Sequence, residues 1–166
     1  PPRSTLSSSS AASDVYKRQD YLHEIISSFK EISKKEFVFN FDQDSNPKKI
    51  SKSIEIVYGL RNFIGNANKF AKNTIFINLK SDSVITEITV EDDGDGYPRD
   101  IISKIGEPYL KSNYSKDKSK EGLGLGLFIG KTLLEKNFAS VNCRNSKTRN
   151  GAEVVIRWKN KELFNI

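Results

Sequence analysis

The segment from Ile50 to Lys72 constrains the fold more than any other part of the chain, because it predicts one long helix with two different faces. Apolar residues recur along it at helical spacing and form one stripe: Val57, Leu60, Ile64, Ala67 and Ala71. Such a stripe is stable only when it is buried against another element. We therefore expect this helix to lie on a second layer of structure.

The opposite face of this helix is predicted to carry amides. Four polar residues recur there, about 180° from the apolar stripe: Asn62, Asn66, Lys69 and Asn73. Asn is about 0.5 kcal/mol worse than Ala in a helix, and Gly59 and Gly65 each cost about 1 kcal/mol. The presence of residues that destabilise a helix indicates a binding role, in which the amide oxygens contact a metal or a polar ligand. A plain solvent-exposed face is the alternative.

The other predicted elements mix helices and strands without strict alternation. The helices are expected at residues 21–34 and 123–136, and the strands at residues 36–41, 74–79, 84–92, 139–144 and 152–158. This pattern predicts an α+β fold with helices on one face of a sheet. The 166 residues suffice for one ordinary domain.

Residues 1–19 are expected to lie outside the fold. They begin with a low-complexity run, and residues 14–19 read DVYKRQ, the translation of a transposon end that is used in sequencing-library adapters. We expect an assembly artefact or a disordered tail here, and a natural protein that is longer upstream. Residues 20–48 are assigned to a linker helix and the first strand of the domain, 49–160 to the main domain, and 161–166 to a C-terminal tail.

Composition excludes several classes of site. No apolar run approaches the roughly 18 residues that a membrane helix needs. Cys143 is the only cysteine, which excludes an internal disulfide and a cysteine metal cluster, and it is predicted to be a strand residue. The net charge of +6 is mildly basic, but no aromatic-basic stripe accompanies it, so nucleic acid is not an expected partner.

An acidic stretch, VEDDGDGYP, follows a predicted strand at residues 90–98. Strand alternation places Ile88, Val90 and Asp92 on one face, so Asp92 begins on the core side. A buried carboxylate is costly unless a donor binds it, and an amino group of a ligand would be such a donor. An incidental acidic turn is the alternative.

Two glycines in this stretch bear on the kind of loop. Gly94 and Gly96 permit a close approach of the backbone to a ligand. A calcium loop is rejected, because aligning Gly96 with the invariant glycine of such loops puts Ile102 where a bidentate Glu is required.

A third segment, GLGLGLFIGKT, opens the last long helix with three glycines: Gly122, Gly124 and Gly126. Helix N-termini favour phosphate through their free N–H groups and dipole. The segment is one residue short of the P-loop pattern, and the dinucleotide pattern is also unmet. The preceding Ser-rich loop carries four lysines, which predict a cationic lid over phosphates or, alternatively, a solvated loop: Lys111, Lys116, Lys118 and Lys120.

Together these segments resemble a known family. NFIGNANKFA, DDGDG and GLGLGLFI resemble the Asn box and two glycine boxes of histidine-kinase catalytic domains, which are members of the GHKL ATPase/kinase superfamily. GEPYLKS is similar to its aromatic box and NGAEVVIRW to its last glycine box, so the resemblance covers about residues 50–158. GEPY and GLGLFIGKTLLEK resemble the redox-responsive RegB/PrrB-type sensor kinases in particular. Two positions depart from the pattern: Gly106 stands where many members have Phe, and Ala152 where Thr is common.

The resemblance implies the Bergerat fold, a two-layer α/β sandwich in which helices back a mixed sheet, with a mobile ATP lid. It also implies ATP and Mg²⁺ as cofactors. Asn66 would bind Mg²⁺ through its amide oxygen, with Asn62 and Lys69 near the phosphates. Asp92 would accept a hydrogen bond from the adenine amino group. Gly94 and Gly96 would shape the adenine pocket.

The resemblance also implies that residues of the lid and of the sides of the pocket bind ATP. The glycines of the lid would let it close and would expose N–H groups to phosphate. Phe70 and Tyr109 would wall the pocket, although either could equally be a core residue. The remaining members of the set are Lys111, Gly122, Leu123, Gly124, Leu125 and Gly126.

The residue type at position 62 differs between the kinases and the hydrolases of this superfamily. Hydrolysing relatives, such as gyrase and mismatch-repair ATPases, carry a Glu there as the base for water. Asn cannot take a proton at neutral pH, so the resemblance implies phosphoryl transfer to an acceptor. Catalysis would rest on positioning and charge neutralisation, and no catalytic residue is assigned.

The phosphoacceptor is not expected within this chain. His23 is the only histidine, and the residues after it lack the basic residue and proline of an acceptor box. It lies 43 positions before Asn66, which is too close for an intervening helical hairpin. We expect His23 to be structural.

The implied partners are a phosphoacceptor and dimerisation domain of the same protein, upstream helices that form a homodimer, and a response regulator. The domain would lie on the cytoplasmic side of the inner membrane. Two alternatives stay open: an anti-sigma-factor-type serine kinase of the same fold, and a nucleotide-dependent interaction module without catalysis.

Overall fold

The computed structural model describes residues 15–42, 49–51, 53–105, 107 and 123–163. Its helices are α1 (Arg18–Lys30), α2 (Ile54–Phe70), α3 (Arg99–Ile102), α4 (Leu123–Lys136) and α5 (Asn160–Leu163). Its strands are β1 (Val15–Lys17), β2 (Glu36–Phe41), β3 (Lys49–Ser51), β4 (Thr74–Ser81), β5 (Ile85–Asp92), β6 (Ser140–Asn145) and β7 (Ala152–Lys159). Every strand and long helix expected from the sequence is present, together with β1, β3, α3 and α5, which were not predicted.

The main sheet has the strand order β2-β4-β5-β7-β6. β2 runs parallel to β4, and the other neighbours are antiparallel. Alternate residues of the central strands are buried, and Ile77, Val90 and Val154 are register neighbours in one such row. These rows join one core with the apolar faces of α1, α2 and α4. The predicted two-layer α+β fold, with helices on one face of a mixed sheet, is confirmed.

Helix α2 is shorter at both ends than the predicted range of 50–72. It begins at Ile54 because Ser53 caps it, with the Ser53 hydroxyl oxygen 3.4 Å from the Ile56 nitrogen. It ends at Phe70 because the next residue turns to an extended conformation. The buried face is also rotated from the prediction, since Ile56 and Phe63 are fully buried whereas Val57 is half-buried.

Both ends of the domain differ from the predicted boundaries. Residues 15–19 were expected in an artefact or a disordered tail, but they form β1 and the first residues of α1. Arg18 is buried there, and its guanidinium donates hydrogen bonds to the hydroxyls of Ser81 and Thr86. Residues 161–163, which were expected in a C-terminal tail, belong to α5, and Leu163 is fully buried in the core.

Cys143 lies in β6, as predicted. Burial raises the pKa of its thiol to about 11, so the thiol is protonated at neutral pH. Of the helices that the structure describes, none has the length and apolarity needed to cross a membrane.

Candidate functional site

Asp92, the last residue of β5, is a buried carboxylate on the core side of the sheet, where the alternation placed it. Only 2% of it is exposed. Its Oδ1 accepts hydrogen bonds from the N–H groups of Gly94 (2.8 Å) and Ala152 (3.3 Å), and its Oδ2 makes none with the described residues. Burial raises the pKa of Asp92 above its ordinary value, although those two N–H groups oppose the rise. The site therefore offers one acceptor oxygen to a ligand donor.

The carboxylate of Asp93, the next residue, binds the backbone of a turn. Its carboxylate accepts hydrogen bonds from the backbone N–H groups of Lys72 (2.8 Å), Asn73 (3.0 Å) and Thr74 (3.2 Å). Burial alone would raise the pKa of Asp93, but these donors outweigh it and hold the pKa below its ordinary value. Asp93 therefore fastens the turn between α2 and β4, while Asp95 is exposed and pairs with Lys72 at 2.8 Å. The acidic stretch is not one functional unit.

Glycines let three backbone segments meet at Asp92. A Cβ on Gly94 would overlap the carbonyl oxygen of Phe70, the last residue of α2, and one on Gly151 would overlap the carbonyl oxygen of Asp92. Gly96 adopts a φ of 78°. The end of β5 is thereby packed between the end of α2 and the start of β7. Gly151 was not among the predicted site residues, although it lies in the NGAEVVIRW segment.

The predicted amide face of α2 is partly exposed. Asn62 and Asn66 are half-buried, and Lys69 is exposed. The Asn62 Nδ2 donates to the carbonyl oxygen of Tyr58 at 2.8 Å, one turn earlier. The Asn66 side chain makes no hydrogen bond within the described part of the chain, so its amide oxygen is available to a ligand. Asn73 lies beyond the helix end and leaves the stripe.

Helix α4 packs closely and antiparallel against α2. Glu55 near the start of α2 pairs with Lys136 at the end of α4 (2.8 Å), and a Cβ on Gly59 would lie only 2.6 Å from the Leu134 side chain. At the other end of the seam, a Cβ on Gly126 would lie 3.5 Å from the Asn62 Oδ1. The first turn of α4 therefore lies beside the amide face of α2.

Of the remaining predicted site residues, some lie in the described part of the chain and the others lie outside it. Lys69 has its Nζ 5.5 Å from the ring centroid of the half-buried Phe70. Leu123, Gly124 and Leu125 open α4, and Leu125 is exposed. Residues outside the described part are Tyr109, Lys111, Lys116, Lys118, Lys120 and Gly122.

Two further observations limit the chemistry of the site. Within the described part of the chain, no three His, Cys, Asp or Glu side chains are grouped so that they could hold a metal ion. His23 is exposed on α1, where its ring lies 6.4 Å from that of Phe39 in β2.

The chain is similar to known proteins in sequence and in fold. Residues 51–162 match the family described as histidine kinase-, DNA gyrase B-, and HSP90-like ATPase. The sensor histidine kinase RegB of Cereibacter sphaeroides is 40% identical over 97 residues, which are 55% of this chain and 21% of RegB. The predicted similarity to RegB is confirmed, and the chain spans about a fifth of that relative's length.

Solved structures share the fold. The mycobacterial sensor histidine kinase MprB superposes with a TM-score of 0.72 at 18% identity, over 87% of this chain and 97% of that one. Full-length ShkA, solved in complex with AMPPNP, superposes with a TM-score of 0.63 at 20% identity, over 84% of this chain and 28% of that one.

Proposed function

Because the chain belongs to the family of histidine kinase-, DNA gyrase B- and HSP90-like ATPases, we propose that it contains the ATP-binding catalytic domain of a sensor histidine kinase. It would transfer the γ-phosphoryl group of Mg-ATP to a histidine on a dimerisation domain of the same protein. The observation that carries this proposal is Asp92, a buried carboxylate with one oxygen left for a ligand donor.

Adenine recognition would rest on the end of β5. The Asp92 Oδ2, which has no donor among the described residues, would accept a hydrogen bond from the adenine amino group. Gly94 and Gly96 would border the base, and Phe70 and Tyr109 would wall the pocket. A 6-oxo purine carries an acceptor oxygen in place of the 6-amino group, so the same site would disfavour it.

The phosphates would lie along the seam between α2 and α4. Asn66 would bind Mg²⁺ through its amide oxygen, and Asn62 and Lys69 would face the phosphates. Mg²⁺ fits this donor set because it binds proteins through few oxygen ligands and takes the others from phosphates and water. When bound, it would neutralise charge on the phosphates.

The lid would close the site over the phosphates. The free N–H groups at the start of α4 would meet phosphate oxygens there. We assign this contact to Gly122, Leu123, Gly124, Leu125 and Gly126, with Lys111 as a cation of the lid.

Asn62 favours transfer over hydrolysis. Its Nδ2 is bound to the Tyr58 carbonyl oxygen, and an amide cannot take a proton from water at neutral pH. Asn62 would therefore supply no base to water, whereas a histidine of an acceptor domain carries its own nucleophilic nitrogen. Neither the serine-kinase alternative nor a non-catalytic module is favoured by a specific observation.

The partners follow from the same proposal. They are the phosphoacceptor and dimerisation domain of the same protein, a second copy of that protein through upstream helices, and a response regulator. The full-length protein would lie in the inner membrane with this domain on its cytoplasmic side. The similarity to the sensor histidine kinases RegB and MprB supports these partners.

Calorimetry with ATP and inosine triphosphate, each with Mg²⁺, tests the proposal. We expect wild type to bind ATP about tenfold more tightly or better, and Asp92→Asn to lose this preference. The Asn oxygen can still accept from Gly94 and Ala152, but its NH₂ group would then face the adenine amino group. Equal binding of both nucleotides by wild type would contradict the assignment of Asp92.

A further inference from the structure

The loop that follows Asp92 is attached to the end of β6 by a single side chain. The Asn145 Oδ1 accepts a hydrogen bond from the Tyr97 N–H (2.6 Å), and its Nδ2 donates to the Tyr97 carbonyl oxygen (3.1 Å). Two opposed hydrogen bonds to the backbone of one residue imitate a rung of a β-sheet. They fix both the distance and the direction of the loop.

This loop needs such an attachment because it has left the sheet. β5 ends at Asp92, so the segment from Gly94 to Tyr97 has no ladder partner on that strand. Its two glycines have more backbone freedom than other residues, and ordering them is correspondingly unfavourable. Gly96 also passes so close to Asn145 that a Cβ would lie 2.8 Å from the Asn145 Oδ1.

A second contact on the same strand anchors the tyrosine ring. Tyr97 is 5% exposed, and its buried hydroxyl lies beside the Cys143 thiol. Cys143 and Asn145 are two residues apart on β6 and therefore project from the same face. The backbone and the ring of Tyr97 are thus both held by β6.

The same rung of the sheet also holds the Asp92 carboxylate. Asn145 pairs with Ala152 at the last position of the β6–β7 register, and the Ala152 N–H donates to the Asp92 Oδ1. One end of this rung therefore positions the loop, and the other end positions the acceptor. The distance between them is set by the ladder.

We propose that Asn145 is a positioning residue for base recognition, which holds the segment from Gly94 to Tyr97 at a fixed place relative to Asp92 without touching the ligand. This inference rests on the proposed function, because it takes adenine as the group that Asp92 and this loop recognise. It adds a residue from a distant strand to the site.

The ratio of the dissociation constants for inosine triphosphate and ATP tests this role. The calorimetry is done well below the unfolding temperature of each variant, and circular dichroism verifies that each variant is folded. We expect Asn145→Ala to reduce the ratio from about tenfold or more in wild type to below about threefold. Asn142→Ala is the matched control, since Asn142 is exposed on the same strand and makes no side-chain hydrogen bond with the described residues. It should keep the wild-type ratio.

If Asn145 had a purely structural role, Asn145→Ala would weaken the binding of both nucleotides equally and leave the ratio unchanged. That result would overturn the inference, while the proposed function would stand. No preference for ATP in wild type would instead overturn the proposed function, and the role of Asn145 with it. If Asn145→Ala does not fold, Asn145→Asp decides in the same assay. It keeps the volume and the acceptor for the Tyr97 N–H, but its second oxygen repels the Tyr97 carbonyl oxygen, so the ratio should fall here too.

Discussion

Asp92 and Asp93 are neighbours in the chain, but their carboxylates bind different parts of the fold. Asp92 accepts from the N–H of Ala152 at the start of β7, and Asp93 accepts from N–H groups in the turn between α2 and β4. Within the described part of the chain, Asp92 keeps one oxygen without a donor, whereas Asp93 accepts from three donors. We therefore expect their substitutions to separate ligand binding from stability.

Asp93→Asn should lower the free energy of unfolding by about 1 kcal/mol, because it weakens charge-assisted hydrogen bonds to the turn. ATP affinity should stay within about twofold of wild type. Asp92→Asn should do the reverse, with near-normal stability and weaker ATP binding. Urea unfolding and calorimetry on the two variants check this. The same loss of stability in both would contradict the separation.

The pH dependence of stability should differ in sign between these two residues. The pKa of Asp93 is lowered on folding, so its stabilisation is present above the unfolded pKa of about 4 and disappears as pH falls through the folded pKa. The pKa of Asp92 is raised, so wild type should lose stability relative to Asp92→Asn as pH rises from the unfolded pKa through the folded one. Unfolding curves between about pH 3 and pH 8 would show opposite slopes for the two differences.

Asn66→Ala should remove most of the effect of Mg²⁺ on ATP affinity. The reason is that the Asn66 amide oxygen is free among the described residues and lies on the face that meets the start of α4. Asn68→Ala is the control, because Asn68 on the same helix accepts from the Ser33 hydroxyl at 2.7 Å and should affect stability alone. Calorimetry with Mg²⁺ and with a chelator measures the effect. An unchanged Mg²⁺ dependence in Asn66→Ala would exclude Asn66 as the ligand.

Two glycines of α2 should respond oppositely to alanine. A Cβ on Gly65 would lie 3.5 Å from the Phe29 ring, an ordinary contact, so Gly65→Ala should stabilise the domain by about 0.5–1 kcal/mol. A Cβ on Gly59 would collide with the buried Leu134, so Gly59→Ala should destabilise it by about 1–3 kcal/mol. Urea unfolding compares them. Stabilisation by both would mean that the seam between α2 and α4 can open at little cost.

A chain that begins at residue 20 should fold and bind ATP within about twofold of the full chain. Arg18 is buried, but the Thr86 hydroxyl also donates to the Asn160 Oδ1 (2.6 Å) and lies 2.8 Å from the Ser81 hydroxyl oxygen. These groups keep partners when Arg18 is removed. Thermal unfolding and calorimetry on both chains check this. Loss of cooperative unfolding in the shorter chain would show that the domain cannot fold without residues 15–19.

The periodic parts of the fold were predictable from the sequence. The glycine-rich start and the apolar content of α4 placed it at residues 123–136, which are its bounds in the structure. Alternation along β5 placed Asp92 on the buried face. The start of α2 was predicted too early, although Ser53 could have indicated it, since serine is a preferred helix cap.

Contacts between distant segments were not predictable in this way. Asn145 and Tyr97 are separated by 48 positions, and only the β6–β7 ladder and the turn after Asp92 bring them together. The task of Asp93 likewise depends on where α2 ends. The burial of Leu163 was not predictable either, because α5 has four residues and is too short to show a periodic apolar pattern.

Transfer of labelled phosphate from γ-labelled ATP tests the proposed kinase activity directly. The chain is incubated alone, with a phosphoacceptor domain of a sensor histidine kinase such as RegB, and as His23→Ala. We predict label on the supplied domain, none on the lone chain, and slow release of inorganic phosphate. Positioning of the acceptor supplies much of the rate, so the lone chain should be nearly inactive. Label on the lone chain that disappears in His23→Ala, or rapid phosphate release without an acceptor, would contradict the account.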